Sequence, residues 1–322
     1  MALYRDEPGD FDALIRAAAA NLGISEIAVS KDYWVCQVLA ALSRDFFDDL
    51  VLKGGTSLEK LRLVERLSED IDMLLTAPAE LGTRPTQKLL RNIVDAAAAV
   101  PGMLAREKHS SGGSAGTCNR AEWLSYGTPR GTDSGLADEG RILLELGQSG
   151  GPHPHTTEHI TSLLGRQLQE RGIDIVPFGD VAPFTLRVLH PARTLIEKLM
   201  RVHTFVSRSP TPEDLHWPRI GRQFYDLWAL LGDPGVLSWL ADRDAFAQVV
   251  TSALEISAVF GGDEPAPVGG FAASPAFDTS SPWAPVLARE HNTTVTKLVY
   301  ATGPQPTFGE VCQRVQANAR LL

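Results

Sequence analysis

Cysteine is scarce in this chain: three residues in 322, Cys36, Cys118 and Cys312, scattered and odd in number. That excludes a disulfide framework and a cysteine-built zinc site, and it suits a reducing cytoplasm. No apolar run reaches the roughly 18 residues that a membrane span requires, so no membrane segment is expected. Basic residues are outnumbered, 30 Lys and Arg against 39 Asp and Glu, for a net charge of −9. A surface that coats nucleic acid indiscriminately is thereby excluded, but a local basic groove is not. A secretory leader is not expected either. The opening MALYRDEPGDFDAL places acids where a leader carries a basic and then an apolar stretch, which predicts a cytoplasmic protein.

What is present is a globular composition, 43% hydrophobic, with length for about two domains. Apolar spacing predicts helices over 9–22 and 25–44, then a short strand, Leu50–Lys53, ending in Gly54-Gly55. A helix follows, with Thr56 or Ser57 available as its N-cap. Ser68–Leu75 returns as a strand, and Thr86–Val100 reads as an amphipathic helix. Between Lys108 and Gly140, a stretch rich in Gly, Ser and Thr, one strand is expected over Arg120–Tyr126, with loops on either side. Arg141–Leu146 and Phe184–Leu189 are further strands, and residues 156–171 read as a helix. From Pro191 onward the pattern is helical through 219–231, Arg243–Val259 and Thr307–Leu321. The Pro/Gly/Ser-rich stretch 261–285 reads as a long connection, not a packed element. The fold class is mixed α/β, divided as 1–190 and 191–322.

The chemistry concentrates in Lys53-Gly54-Gly55-Thr56-Ser57-Leu58 followed by Asp70-Ile71-Asp72. Two glycines let backbone approach a ligand closely, and a helix start presents free N–H groups, an arrangement that favours phosphate. In a strand, Asp70 and Asp72 project from one face. Carboxylates so close repel unless a cation sits between them, and a pair of Mg²⁺ (or Mn²⁺) ions, with nucleotide phosphates completing the shell, is the natural occupant. Either motif alone is commonplace: a capped tight turn, a solvated strand edge. As strand, glycine turn, helix, strand and Asp-x-Asp within about 25 residues, they read together as a nucleotide site. Glu145, inside the apolar run 142–146, either faces solvent or supplies a third metal carboxylate. Lys198, beside Glu197, reads from the residues alone as a solvated helix face at least as readily as a site, and Asp226 is uninformative by itself.

KGGTSL, SEDIDMLL and the upstream Lys31-Asp32-Tyr33-Trp34-Val35 together resemble the AbiEii family of nucleotidyltransferase toxins, which includes the mycobacterial MenT enzymes. Arg193–Leu199, Tyr225-Asp226-Leu227 and the Thr307–Val311 segment follow in the family's order. The resemblance implies a DNA polymerase β-like nucleotidyltransferase core with a mixed sheet and a helical C-terminal lobe. It also implies an active site in the cleft between them. By the same resemblance, Lys53, Gly54, Gly55, Thr56 and Ser57 cradle the triphosphate, Asp70 and Asp72 bind Mg²⁺, and Lys198 neutralises phosphate charge. Asp226 then orients Lys198 or a substrate hydroxyl. The implied activity is nucleotide transfer from an NTP to the 3′ end of tRNA by a toxin with a cognate antitoxin. A protein hydroxyl or small molecule as acceptor, or nucleotide binding without turnover, are the alternatives.

Basic residues form two sequence clusters, Lys53, Lys60, Arg62 and Arg66 beside the turn, and Arg193, Lys198, Arg201, Arg208, Arg219 and Arg222 beyond it. If they converge, a positive groove for RNA phosphates is expected, the alternative being that half are paired surface charges. His153 and His155 read as a solvated loop, not a zinc site. Trp217, Trp228, Trp239 and Trp283 read as core or interface residues.

Overall fold

A computed structural model of the chain describes residues 2–76, 81–113, 118–127, 136, 138–148, 150–214, 219–259 and 262–322. Trp217 and most of the glycine-rich stretch 127–140 lie outside the described residues. Packing divides the chain into two compact units: Met1–Leu61, Leu67–Gln148 and His155–Val188 in the first, Arg62–Arg66, Ser149–Pro154 and Leu189–Leu322 in the second.

The first unit begins with α1 (Pro8–Leu22) and α2 (Glu26–Phe46). Gly23, in the left-handed region at φ 68°, stops α1, and Ser25 caps α2 by accepting the Ala28 amide at 3.1 Å. Strand β1 (Leu50–Lys53) runs straight into α3 (Gly54–Lys60), and β2 (Asp70–Leu75) returns beside β1. Then come α4 (Thr83–Ala98), β3 (Met103–Lys108), β4 (Arg120–Tyr126), β5 (Arg141–Gly147), β6 (His155–Ile160), α5 (Leu163–Glu170) and β7 (Phe184–Leu189). The strands form one seven-stranded sheet in the order β3-β4-β5-β2-β1-β7-β6. It is mixed: β2 runs antiparallel to β1 and parallel to β5, while β1 runs parallel to β7.

Alternation along the strands separates two faces. Leu50, Leu52, Ile71, Met73, Leu144 and Leu146 join Tyr33, Trp34, Val38 and Leu42 of α2 and Leu90, Ile93 and Val94 of α4 in one buried core. The opposite face of the same strands carries Lys53, Asp70, Asp72 and Glu145. Core burial therefore dictates which way the acids project, since a one-residue slip would send them into the core.

The second unit is helical: α6 (Pro191–Arg208), α7 (Gly221–Leu230), α8 (Pro234–Leu240), α9 (Arg243–Val259), α10 (Ala284–Leu298) and α11 (Phe308–Ala317). Thr307 and Glu310 close a capping box on α11. Among the described residues, no single helix is long and apolar enough to cross a membrane.

Three expectations are corrected here. Residues 156–171 are not one helix: β-branched Thr156, Thr157 and Ile160 extend as β6, and Ser162, accepting the Gly165 amide at 3.0 Å, starts α5. Thr56 and Ser57 do not cap α3, which begins two residues earlier because Gly54 turns the chain at φ 76°. The 261–285 stretch is not an unpacked connection. Short 3₁₀ turns at Phe271–Ala273 and Pro275–Phe277 bury both phenylalanines, and Phe277 meets Phe224 of α7 edge-on at 5.9 Å. Two aromatic anchors outweigh the loop-like composition around them.

Candidate active site

The site is built on β1, α3, β2 and β5. Register places Lys53 opposite Asp72 and Asp72 opposite Glu145, a row across three strands, with Asp70 on the same face two residues back. Directly paired residues share a face, so one cation and three acids project to one side. All four are partly exposed, unlike the apolar residues that alternate with them.

Gly54 makes this arrangement possible. Its left-handed backbone turns β1 into α3, and a Cβ there would overlap Asp72 Oδ2 and sit 3.3 Å from Asp72 Cγ. Only glycine lets the turn lie directly against the carboxylate. The hydroxyls that follow point inward. Thr56 Oγ1 donates to the Asp70 carbonyl and lies 2.8 Å from Ser68 Oγ, lacing α3 to the start of β2. Ser57, fully buried, donates to the Gly54 carbonyl at 2.8 Å and stiffens the turn. Their side chains thus hold the turn together, and what Thr56 and Ser57 can offer a phosphate is backbone N–H.

The Lys31–Val35 segment of α2 grips this assembly at both ends. Lys31 is buried, 3.8 Å from Glu69 beside Asp70, and donates to the Asp138 carbonyl at 2.8 Å. Asp32 accepts from Lys60 at the far end of α3 and from the Leu163 amide at 2.6 Å. Lys60 also lies 2.8 Å from Glu59, which pairs in turn with Arg166. Two acids and two bases balance inside the core, a cluster that only mutual pairing makes tolerable. Tyr33 donates to Asp180 at 2.8 Å, and Trp34 stacks on Tyr126 with centroids 5.8 Å apart.

The second unit gathers Lys198 and Asp226. Lys198 Nζ, on α6, lies 2.9 Å from Asp226 Oδ2 and 2.7 Å from Gln223 Oε1, both on α7. Arg66 takes both carboxylate oxygens, Nε to Oδ1 and a terminal nitrogen to Oδ2, each at 2.6 Å. Burial by itself raises the Asp226 pKa, but the Arg66 guanidinium and then the Lys198 ammonium outweigh it and hold the carboxyl below its ordinary value. Next to it, burial and then the Glu65 charge push the Tyr225 phenol up to about 12, so it stays protonated.

Sequence reasoning missed Gln223 and the true role of Arg66. Gln223 sits three residues before Asp226 on one helix face, a spacing that points to it. Nothing local points to Arg66, 160 residues from its partner. Six of the ten bases expected to line a positive groove are paired with acids. Lys60, Arg66, Arg193 and Lys198 are buried counterions, and Arg201 and Arg208 pair with Asp263 and Glu264 at 3.5 and 2.9 Å. Lys60 and Arg66 reach acids 28 and 160 residues away, whereas Arg193 pairs with Glu197 one helical turn on.

A divalent cation fits the donor set on the sheet: hard carboxylate oxygens of Asp70 and Asp72 beside backbone amides. Among the described residues, no three His, Cys, Asp or Glu side chains gather closely enough to hold a metal ion unaided. Mg²⁺ is commonly held by one or two carboxylates together with substrate phosphates, which is what this face can provide.

Comparison with known proteins found no significant match among curated sequences. Among solved structures, the chain is similar to a candidate nucleotidyltransferase from Helicobacter pylori (15% identity, 92% of this chain and 95% of that one, TM-score 0.46). It is also similar to JHP933 from Helicobacter pylori (15%, 92% and 95%, TM-score 0.41). A third is MenT4, a nucleotidyltransferase toxin from Mycobacterium tuberculosis H37Rv (18%, 96% and 95%, TM-score 0.41). The model of the nucleotidyl transferase AbiEii toxin family, type IV toxin–antitoxin system, matches residues 37–313, which span the glycine turn, both aspartates, Lys198 and Asp226. The chain belongs to the AbiEii family of nucleotidyltransferase toxins.

Proposed function

We propose that the protein transfers a nucleoside monophosphate from an NTP to the 3′ end of tRNA in a Mg²⁺-dependent reaction, and so halts translation by blocking aminoacylation. The reading assigns catalysis to a core of residues 1–190 followed by a helical lobe, 191–322, acting in the cytoplasm. As a type IV toxin it has a cognate antitoxin as partner.

The observation that supports the reading is the placement of Asp70 and Asp72 on one sheet face, with Gly54 packed against the Asp72 carboxylate. Backbone N–H groups of Gly54, Gly55, Thr56 and Ser57, with the Lys53 side chain, receive the triphosphate. Asp70 and Asp72 hold the divalent cation, and Glu145, across the parallel pair from Asp72 and accepting from Ser111 Oγ at 3.0 Å, is a third acid on the same face that reaches the ion only by moving towards it. When bound, the cation polarises the α-phosphate and screens the departing pyrophosphate. Lys198 offsets phosphate charge through its ammonium, and Asp226 orients that ammonium.

The test is incubation with each α-labelled NTP and Mg²⁺, in parallel with total tRNA and with a protein extract. Label on tRNA that disappears when the 3′-hydroxyl is oxidised beforehand is expected. Label on protein, or none on tRNA with any NTP, would overturn the acceptor assignment.

A further inference from the structure

Asp226 is fully buried and carries two cations. One carboxylate neutralises one of them, so the Asp226, Arg66 and Lys198 triad keeps one positive charge. The geometry says which partner dominates the acid. Arg66 makes a two-pronged bond to both oxygens at 2.6 Å, the strongest form of carboxylate recognition, whereas Lys198 touches only Oδ2, at 2.9 Å. Among the described residues the Lys198 ammonium meets only Asp226 and Gln223, which leaves one of its three N–H donors over. Its side chain remains 10% exposed, against 3% for Arg66 and 0% for Asp226. Arg66 is itself held by backbone: it forms an antiparallel bridge to Val299, and the Tyr300 amide donates to the Glu65 carbonyl at 2.9 Å.

We propose that Arg66 is a positioning residue for nucleotide binding: by binding both oxygens of Asp226 it shares the single negative charge with Lys198, 2.9 Å from Oδ2, and so leaves part of the ammonium's charge for phosphate. This rests on the phosphate role of Lys198 given above. Without Arg66, the carboxylate has one cation left, and Lys198, already 2.9 Å from Oδ2, takes its whole negative charge.

The test is a double-mutant cycle read by calorimetric Kd for ATP, GTP, CTP and UTP, each with Mg²⁺, with Tm recorded for every variant. R66Q is expected to weaken the NTP that binds best by about ten- to hundredfold, the worth of one charge-assisted hydrogen bond. R66K, which keeps a cation on Asp226, should lose far less. In the D226N background, replacing Arg66 should change Kd by less than about threefold, because there is no carboxylate left to capture Lys198. That comparison of D226N with R66Q/D226N stands even if R66Q alone fails to fold. An equal loss on replacing Arg66 in both backgrounds, or an unchanged R66Q beside a weakened K198A, overturns the inference alone. An unchanged K198A overturns the phosphate role of Lys198 and this inference with it.

Discussion

Replacing Gly54 with alanine is the sharpest perturbation of the site. Alanine adds one methyl group and no charge, yet two costs follow from the position. The left-handed backbone at φ 76° strains any L side chain by about 1–2 kcal/mol. The new Cβ also falls inside contact distance of Asp72 Oδ2, which must retreat by roughly 1 Å to restore ordinary packing. A displacement of that size at a reacting centre costs on the order of a hundredfold in rate. Gly23 supplies the control, since it has a similar φ of 68° with nothing within 4 Å of its would-be Cβ. G23A should therefore lower Tm by about as much as the strain part of G54A, a few degrees, and leave label transfer from NTP to tRNA unaltered. G54A should lose about a hundredfold of that transfer while still folding. Full activity in G54A, or equal losses in both variants, would refute the claim that the turn must lie against the Asp72 carboxylate.

Other consequences are separable from this one. D70N and D72N should each abolish nucleotide transfer with Tm little changed, and full activity in both would reject their role as cation ligands. K60M removes the ammonium that the buried Asp32 and Glu59 carboxylates share, and should cost about 3–5 kcal/mol in urea unfolding. A loss below about 1 kcal/mol would show that the cluster is not held by pairing. The Asp226 carboxyl is held below its ordinary 3.8, so its stabilisation is complete above that value and disappears as pH falls through the folded pKa. D226N should accordingly flatten the acid limb of stability against pH, and an unaltered limb would contradict the pairing.

Local pattern sufficed for the elements that carry the site. Short apolar runs in Leu50–Lys53, Asp70–Leu75 and Arg141–Gly147 encode the strands, and the two-residue period then sets the side on which their acids project. Elements stabilised from outside their own sequence were harder to read. Strand β3 is an exposed sheet edge with a bulge near Met103, so MLAREK shows no two-residue alternation. Helix α10 is rich in Thr and Asn, poor helix formers, yet Leu287, His291, Thr294 and Leu298 line up on one buried face. Short α8 was likewise unread. The charges were the least legible feature, because a lysine or arginine in sequence looks the same whether it faces solvent or a carboxylate 160 residues away, as Arg66 does.

Residues 62–66 and 149–154 interrupt the first unit yet pack with the second, so the backbone passes between the units five times. The protein is therefore not a string of separable modules. An expression fragment ending near residue 190 would contain Arg66 but not Asp226, leaving a guanidinium stranded without its counter-charge. The complementary fragment would lack the strip that anchors beside Val299. Neither half should survive alone as a protease-resistant product, whereas the two co-expressed should recover one another, a property useful for keeping a toxic enzyme inactive during production.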